Sequence, residues 1–200
     1  LLSRTREDSA VSRINSGDAG AADEEVRALI EKAMEYSQAT GGAFDITLAP
    51  VSSAWGFTED AYRVPSQAEL DELLTHVGME HVHLTADGVE LDAGTQIDLG
   101  AIAKGYASDV VADLYEKWDI PRGLARLGGN IYAKGTRPDG GLWRVGVQDP
   151  ANPEDSNALV GVLELSDAFA VTSGGYQRYF EENGKTCLLY TSDAADDSLR

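Results

Sequence analysis

The sequence has little of several features that would place it in a specialised class of proteins. Only one of its 200 residues is cysteine, so an internal disulfide framework is excluded. No apolar run is long enough to span a bilayer, and no signal peptide opens the sequence. Because the sequence begins with Leu1 rather than methionine, this does not argue against a targeting segment in a longer protein.

Basic residues are also scarce. The 16 Lys and Arg residues stand against 34 Asp and Glu residues, which gives a formal net charge of −18 and disfavours nucleic acid or an anionic membrane as the main partner. Hydrophobic residues make up 42% of the chain, enough for a globular core and against a disordered protein. An acidic protein that binds an anionic nucleotide needs groups at the binding site that attract the anion, such as backbone amides, a lysine or a divalent cation.

The last residues, Cys187 to Arg200, differ in character from the rest of the chain. The string Cys-Leu-Leu-Tyr-Thr-Ser-Asp-Ala-Ala-Asp resembles the in-frame translation of a sequencing adapter. We therefore predict that residues 187–200 form a non-native tail that packs poorly and has no function. The alternative is an ordinary C-terminal strand followed by an acidic tail, and composition alone does not separate the two.

Periodicity predicts a mixture of helices and strands in the remaining residues, 1–186. Apolar residues at helical spacing predict two long helices, and alternating or short apolar runs predict strands. Two long helices among sequential strands predict an α+β fold with a largely antiparallel sheet flanked by helices. The predicted helices are Asp23 to Thr40 and Ala101 to Trp118, and the predicted strands are Ala43 to Ala49, Ile97 to Leu99, Gly123 to Leu127, Asn130 to Gly135, Trp143 to Gln148, Leu159 to Leu165 and Phe169 to Thr172.

The stretch from about residue 55 to 94 is predicted to be a small subdomain inserted into this domain. Ser66 and Glu69 have the spacing of a capping box at the start of a helix. A short hairpin follows, with its turn around Asp87 and Gly88. The histidines, His76, His81 and His83, all lie in this stretch and are interpreted as surface or packing residues rather than metal ligands.

The segment from Ile97 to Ala107 carries the clearest chemical pattern. A predicted strand presents Asp98, Gly100 turns the chain, and a helix begins that carries Lys104 in its first turns. The helix macrodipole disfavours a cation there, so Lys104 suggests a nearby anion, and amides at a helix N-terminus bind phosphate. From spacing alone the simpler interpretation is favoured, in which Asp98 only caps the helix and Lys104 is a solvated residue.

Two other polar features allow more than one interpretation. Gly128 and Gly129 are typical either of a close backbone approach to a ligand or of a plain hairpin turn. Ser173 has the chemistry of a nucleophile, but no histidine lies near it in the sequence, which favours a turn hydroxyl.

Several motifs, in the same order along the chain, resemble those of the FAD:protein FMN transferase family, the ApbE-type flavin transferases. The segment around Asp98 and Lys104 resembles the family's central motif. Further motifs resemble its early segment, its other long signature, its glycine turn and two later segments. These motifs are Asp8 to Asn15, Gly41 to Pro50 continuing to Phe57, Leu127 to Gly135, Trp143 to Pro150 and Ala170 to Tyr176.

This resemblance implies a set of site residues and a reaction. The enzyme would use Mg²⁺ to move FMN from FAD onto a threonine or serine of a target protein, with release of AMP. The backbone carbonyl of Ala101 would be a ligand of Mg²⁺, and no catalytic residue is assigned. The residues that would contact FAD are Ala43, Phe44, Asp45, Asp98, Lys104 and Arg4.

The sequence departs from the family pattern at its ends. The family's His-x-x-Asp-Pro segment and its later carboxylate and hydroxyl ligands are missing, so we expect a chain truncated at both ends and incomplete at its catalytic and metal site. The alternatives to a transferase are an FAD pyrophosphatase and a non-catalytic FAD-binding protein. The resemblance also implies a location outside the cytoplasmic membrane, periplasmic or as a membrane-anchored lipoprotein.

Overall fold

A computed structural model describes residues 2–57, 61–152, 154–172, 179–182 and 185–188. The chain divides into two compact units. The first contains residues 1–103 and 180–189, and the second contains residues 104–179 and 190–200. Among the described residues, no helix combines the length and the apolar character that a membrane crossing needs.

In chain order, the first unit contains a series of helices and then a β-hairpin. Short 3₁₀ turns at Ala19–Ala21 and Met79–His81 separate some of these elements. The helices are α1 (Ala10–Asn15), α2 (Glu24–Ala39), α3 (Ala49–Ala54) and α4 (Gln67–Leu74), and the hairpin strands are β1 (Val82–Thr85) and β2 (Gly88–Leu91).

Side-chain caps fix the start of three of these helices. In each case a side-chain oxygen accepts a hydrogen bond from the backbone N–H three residues later, as a typical N-cap does. The capping residues are Ser9 for α1, Asp23 for α2 and Ser66 for α4. The predicted bounds of α2 and the predicted cap at Ser66 are therefore confirmed.

The core of the first unit is built on one face of α2. Its buried residues Val26, Leu29, Ile30 and Ala33 follow helical spacing, as the sequence predicted. Other fully buried side chains come from α1, from the loop before α3, from β2 and from the segment before residue 100. They are Val11, Ile14, Ile46, Thr47, Val89, Ile97 and Leu99.

The β1–β2 hairpin is held by α2 through a single arginine. Arg27 Nη1 donates hydrogen bonds to the carbonyl oxygens of Thr85, at 2.7 Å, and Gly88, at 3.1 Å. These two residues pair across the end of the hairpin, so the guanidinium binds the turn itself. The predicted hairpin is confirmed, with Ala86 and Asp87 as its two-residue loop.

Two of the predicted strands are wrong. Residues Ile97 to Leu99 form no strand, because Ile97 pairs with a side-chain amide and Asp98 with a single carbonyl instead of a strand ladder. Residues Ala43 to Ala49 also form no strand. The one bridge in this stretch of the described chain is an isolated parallel bridge between Leu48 and Gln96.

Helix α3 replaces the end of the predicted strand at Ala43 to Ala49, and the sequence analysis did not predict it. Pro50 lies in its first turn, where a proline is tolerated because the N–H at that position has no helical partner. Pro50 therefore marks the start of a helix rather than the end of a strand.

Helix α5 (Gly100–Lys117) begins in the first unit and continues into the second. It starts at Gly100, one residue before the predicted boundary, and ends one residue before Trp118, so this helix is confirmed. The remaining strands of the second unit are β3 (Gly123–Leu127), β4 (Asn130–Lys134), β5 (Trp143–Gln148), β6 (Leu159–Leu165) and β7 (Ala168–Ala170).

All strand ladders with a defined register in the described residues are antiparallel. They form separate small sheets, in the orders β1–β2, β3–β4–β7 and β5–β6. Gly128 and Gly129 form the two-residue turn between β3 and β4, and both have positive φ, 55° and 106°. The predicted α+β class is confirmed, although the antiparallel pairing is divided among several sheets.

The last strands, β8 (Tyr179–Glu182) and β9 (Lys185–Leu188), pair with each other. Phe180 joins an aromatic cluster in the first unit: its ring stacks on Tyr62 at 5.2 Å and lies 5.4 Å from Phe57 and 6.3 Å from Trp55. Cys187 and Leu188, the first residues of the predicted tail, lie in β9, and the rest of that tail is outside the described residues. Ser173 is also outside them.

The inserted subdomain at about residues 55–94 stays a prediction. This stretch contains α4, a 3₁₀ turn and the β1–β2 hairpin, and all of it belongs to the first unit. Two of its histidines bind one carboxylate: His81 and His83 hydrogen-bond the two carboxylate oxygens of Asp92, at 2.9 and 2.8 Å.

We predict that Gly88 cannot be replaced without a large loss of stability. Its φ is +144°, and a Cβ at this position would lie 1.9 Å from the carbonyl oxygen of Ala19. Gly88→Ala should lower the free energy of unfolding by about 3 kcal/mol or more, because backbone strain and a backbone clash act together. Urea unfolding measures this change.

The control is Gly17→Ala. Gly17 also has positive φ, +91°, but a Cβ there would meet nothing within 4 Å. In this variant only backbone strain is introduced, so the free energy of unfolding should fall by about 1 kcal/mol. Equal losses for the two variants would contradict the packing argument at Gly88.

A tight loop of the second unit holds one strongly acidic carboxyl group. Arg137 hydrogen-bonds the Asp139 carboxylate through two nitrogens, and the Gly141 N–H donates to its Oδ1 at 3.0 Å. These bonds, the arginine bond first, lower the pKa of Asp139 from 3.8 to about 2. Since the pKa is lowered by folding, this carboxylate stabilises the folded chain above about pH 4, and the contribution disappears as the pH falls through about 2.

We therefore predict that Arg137→Gln raises the pKa of Asp139 toward its ordinary value of 3.8. An NMR titration of the Asp139 side-chain carboxyl carbon measures it. Arg126→Gln is the matched control, because Arg126 lies on β3 of the same unit and makes no contact with Asp139 in the described part of the chain. If the pKa of Asp139 does not change in Arg137→Gln, Arg137 is not the cause of its low value.

Candidate functional site

The structure brings most of the predicted site residues together in the first unit. Arg4, Asp98, Ala101 and the segment 43–45 all belong to it. Lys104 is the first residue of the second unit and is exposed. Its predicted contact with FAD stays a prediction.

Asp98 is the best-connected of these residues. Its Oδ2 accepts a hydrogen bond from Arg4 Nε at 2.9 Å, and its Oδ1 accepts one from the Gly100 N–H at 2.7 Å. The side chain of Arg4 is only 12% exposed, and that of Asp98 is 25% exposed. Asp98 therefore caps the start of α5, as the simpler interpretation held, and at the same time holds an arginine.

Ser53 completes the support of Arg4. Arg4 Nη1 donates to Ser53 Oγ at 2.7 Å, while Nε of the same guanidinium binds Asp98. Arg4 is thus fixed between α3 and the residue that precedes α5. A guanidinium carries five N–H donors in a rigid plane, so fixing two of them also fixes the direction of the others.

The backbone that carries Asp98 is hydrogen-bonded from both sides. Asn15 Nδ2 donates to the Ile97 carbonyl at 3.0 Å, and the Ile97 N–H donates to Asn15 Oδ1 at 2.8 Å. The Asp98 N–H donates to the Ile46 carbonyl at 2.7 Å. These contacts place Asp98 beside the segment that contains Asp45.

Asp45 is fixed by a neighbouring threonine. Its Oδ1 accepts hydrogen bonds from the Thr47 N–H at 2.7 Å and from Thr47 Oγ1 at 2.5 Å. Thr47 Oγ1 in turn accepts a hydrogen bond from the Gly78 N–H at 2.7 Å. The carboxylate is half-buried, whereas Thr47 is completely buried.

Phe44 and Ala43 precede this carboxylate. The Phe44 ring meets the Tyr36 ring of α2 edge to face, with centroids 6.1 Å apart. The Phe44 N–H donates to Thr40 Oγ1 at 3.0 Å, which ties it to the end of α2. Ala43 is exposed. Phe44 and Tyr36 thus form an aromatic pair at the end of α2, and the contact of Phe44 with FAD stays a prediction.

The described residues do not assemble a metal site by themselves. No three His, Cys, Asp or Glu side chains among them form a group that could hold a metal ion. Ala101 lies in the first turn of α5 and offers one backbone carbonyl, whereas a hard cation takes about six oxygen ligands. The donor set of this part of the chain does not fit Mg²⁺ without further ligands.

A surface groove of about 640 Å³ lies in the first unit, along the second half of α2 and the turn at Gly41 and Gly42. The predicted flavin contacts are not among the residues that line it. These are Glu31, Met34, Glu35, Ser37, Gln38, Gly41, Gly42, Met79 and Leu84. The candidate site therefore rests on the ion pair of Arg4 with Asp98 and on Asp45, whose segment is joined to Asp98 by the hydrogen bond to the Ile46 carbonyl. We call these three residues the carboxylate pair site.

The sequence analysis missed four residues that build this site: Asn15, Tyr36, Thr47 and Ser53. Asn15, Thr47 and Ser53 lie inside segments that resemble family motifs, so their positions were marked while their roles were not. Tyr36 gave no signal, because its contact with Phe44 depends on how the chain packs at the end of α2.

Comparison with known proteins assigns the family. The sequence model of the ApbE family matches residues 1–190, so the chain belongs to the ApbE family. The chain is 36% identical over 205 residues to an FAD:protein FMN transferase of Treponema pallidum, which covers 92% of the chain and 56% of that protein. It is 32% identical to the FAD:protein FMN transferase of Vibrio cholerae, with the same two shares covered.

Solved structures agree with this assignment. The ApbE protein of Thermotoga maritima superposes with a TM-score of 0.83 at 33% identity, over 94% of this chain and 62% of that one. The apo form of the flavinyl transferase ApbE of Pseudomonas stutzeri gives a TM-score of 0.80 at 31% identity, over 94% and 60% of the two chains. The chain spans about half the length of the curated relatives it matches.

We predict that Asn15→Ala destabilises the first unit by about 2–3 kcal/mol. The variant removes two hydrogen bonds and leaves the N–H and carbonyl of Ile97, a fully buried residue, without their partner. Urea unfolding gives the energy, and faster hydrogen exchange at the Ile97 amide locates it.

The neighbouring Ser16→Ala is the control. Ser16 is exposed, and its hydroxyl donates to the Ser12 carbonyl of the same helix. Ser16→Ala should therefore change the free energy of unfolding by no more than about 0.5 kcal/mol. If Asn15→Ala cost no more than Ser16→Ala, the claim that Asn15 holds the Asp98 backbone would be wrong.

Proposed function

We propose that this chain carries the FAD-binding part of a Mg²⁺-dependent FAD:protein FMN transferase. The observation that carries the proposal is the carboxylate pair site, in which Arg4, Asp45 and Asp98 are held by hydrogen bonds within one unit. Membership of the ApbE family and the names of the curated relatives support it. The residues that contact FAD would be Arg4, Ala43, Phe44, Asp45, Asp98 and Lys104.

The reaction is a phosphoryl-type transfer. The oxygen of a threonine or serine hydroxyl on the target protein attacks the FMN phosphorus of FAD, and the phosphorus–oxygen bond to AMP breaks. The hydroxyl proton is released to solvent water, and AMP leaves with the electron pair of the broken bond. Most of the rate in such transfers comes from positioning and charge neutralisation.

Local positive charge has to offset the acidic character of this chain. FAD carries an anionic pyrophosphate, and the chain has a net charge of −18. Arg4 is a fixed guanidinium in the first unit, and Lys104 is an exposed cation on α5. We propose that these two side chains supply the attraction for the anion, while the carboxylates bind donor groups of the ligand.

Mg²⁺ belongs to the proposal as the cation that neutralises the pyrophosphate when bound. The Ala101 carbonyl would be one of its ligands, and the described residues do not provide the others. Because the donor set is incomplete in this part of the chain, the role of its own residues is restricted to binding and orienting FAD.

The test has a binding arm and a reaction arm. The chain is titrated into FAD, FMN and ADP, and bound ligand is measured by flavin fluorescence or equilibrium dialysis. It is then incubated with FAD and an acceptor protein that carries the target threonine, with Mg²⁺ or with EDTA, and products are separated by denaturing gel and chromatography.

Each outcome of this test has a distinct meaning. Covalent flavin on the acceptor with release of AMP supports the transferase, and we expect any labelling to stop in EDTA. Free FMN and AMP without labelled acceptor identify a pyrophosphatase, and FAD binding without either product identifies a binding protein. Full labelling in EDTA refutes the metal requirement, and no affinity for FAD refutes the proposed function.

We predict that Lys104→Ala weakens FAD binding by about tenfold to a hundredfold. The reason is that a hydrogen bond to a charged group is worth roughly 1.5–3 kcal/mol. Lys117→Ala is the matched control, because Lys117 lies in the last turn of the same helix. Equal affinities of the two variants for FAD would remove Lys104 from the site.

The location of the protein is a further part of this proposal. We propose that the enzyme acts outside the cytoplasmic membrane, and that any membrane attachment is through a lipid anchor rather than a helix of the described chain. Fractionation of cells that express the whole gene tests this directly.

A further inference from the structure

Thr47 is a completely buried residue whose N–H and hydroxyl group both bind the carboxylate of Asp45. It has no exposed surface. Its N–H and its Oγ1 both donate to Asp45 Oδ1, at 2.7 and 2.5 Å. Its Oγ1 also accepts a hydrogen bond from the Gly78 N–H at 2.7 Å.

The bond from Gly78 determines the direction of the hydroxyl group. A hydroxyl has a single hydrogen, and the Gly78 N–H can only donate, so it occupies an acceptor position on Thr47 Oγ1. The hydroxyl hydrogen is therefore left for Asp45 Oδ1. This contact joins Asp45 to a residue 31 positions beyond Thr47, so it is more than a local turn.

The two donors on Oδ1 leave the other oxygen of Asp45 in a defined place. Among the described residues, Asp45 Oδ2 accepts no hydrogen bond. The carboxylate cannot rotate without breaking both bonds from Thr47. Asp45 thus presents one fixed acceptor at the half-exposed surface of the site.

We propose that Thr47 is a positioning residue that orients Asp45 so that Oδ2 accepts a hydrogen bond from FAD. The proposal rests on the proposed function, since it takes FAD as the ligand. A carboxylate accepts from N–H and O–H groups and repels phosphate, so Oδ2 binds a donor of the flavin, ribityl or adenosine part. Thr47 itself does not touch the ligand.

Substitutions at position 47 separate the hydroxyl from the shape of the side chain. Thr47→Val keeps the branched shape and removes the hydroxyl, whereas Thr47→Ser keeps the hydroxyl and removes the methyl group. We expect Thr47→Val to weaken FAD binding at least tenfold. Thr47→Ser should stay within about threefold of the unmodified chain.

A double-mutant cycle shows whether Thr47 acts through Asp45. Asp45→Asn is combined with Thr47→Val, and the affinity for FAD is measured for all four chains. If Thr47 acts by orienting Asp45, Thr47→Val should change affinity less than about twofold once Asp45 is asparagine. The same tenfold loss in both backgrounds, or an equal loss in Thr47→Ser and Thr47→Val, overturns the proposal.

Crystal structures of the ligand-free variants provide a readout that does not depend on FAD. Asp45 should keep its side-chain conformation in Thr47→Ser and lose it in Thr47→Val. An unchanged Asp45 in Thr47→Val overturns the positioning role. If the unmodified chain does not bind FAD, the proposed function fails, and these structures still decide whether Thr47 orients Asp45.

Discussion

The backbone of Ile97 and Asp98 is hydrogen-bonded on both sides, and the carboxylate pair site depends on this arrangement. On one side Asn15 bonds both the N–H and the carbonyl of Ile97, and on the other the Ile46 carbonyl accepts from Asp98. A buried backbone group without a partner costs about as much as a lost hydrogen bond. The three segments are therefore held in one arrangement, and Asp98 has a fixed position before helix α5 begins.

The same constraint accounts for the binding geometry. Asp98 is placed where one oxygen caps α5 and the other binds Arg4, and Ser53 then fixes the guanidinium. The bond to Ile46 brings the Asp45 segment alongside. Within an acidic chain, a guanidinium and two carboxylates are in this way held in fixed positions by hydrogen bonds.

Much of the fold could be predicted from the sequence, because its signals are local. The cap at Asp23 and the apolar stripe of α2 predicted that helix, and the alternation of β5 gave its bounds without error. The predicted strand at Ile97 to Leu99 failed because a side-chain amide takes the place of a partner strand, which periodicity does not detect. Within the site, Asp45 and Asp98 came from a resemblance, whereas Asn15, Thr47 and Ser53 act through contacts that only the folded chain creates.

The pairing of Asn15 with Ile97 also sets a limit on when the site can form during protein synthesis. The two residues are 82 positions apart. At 5–20 residues per second, roughly 4–16 s pass between their incorporation on the ribosome. During that interval the side-chain amide of Asn15 lacks its backbone partners at Ile97, and Arg4 lacks Asp98 although Ser53 is already present. Nascent chains arrested before Ile97 should therefore expose the segment with Arg4 and Asn15 to proteases and chaperones, and chains arrested well beyond Ile97 should not.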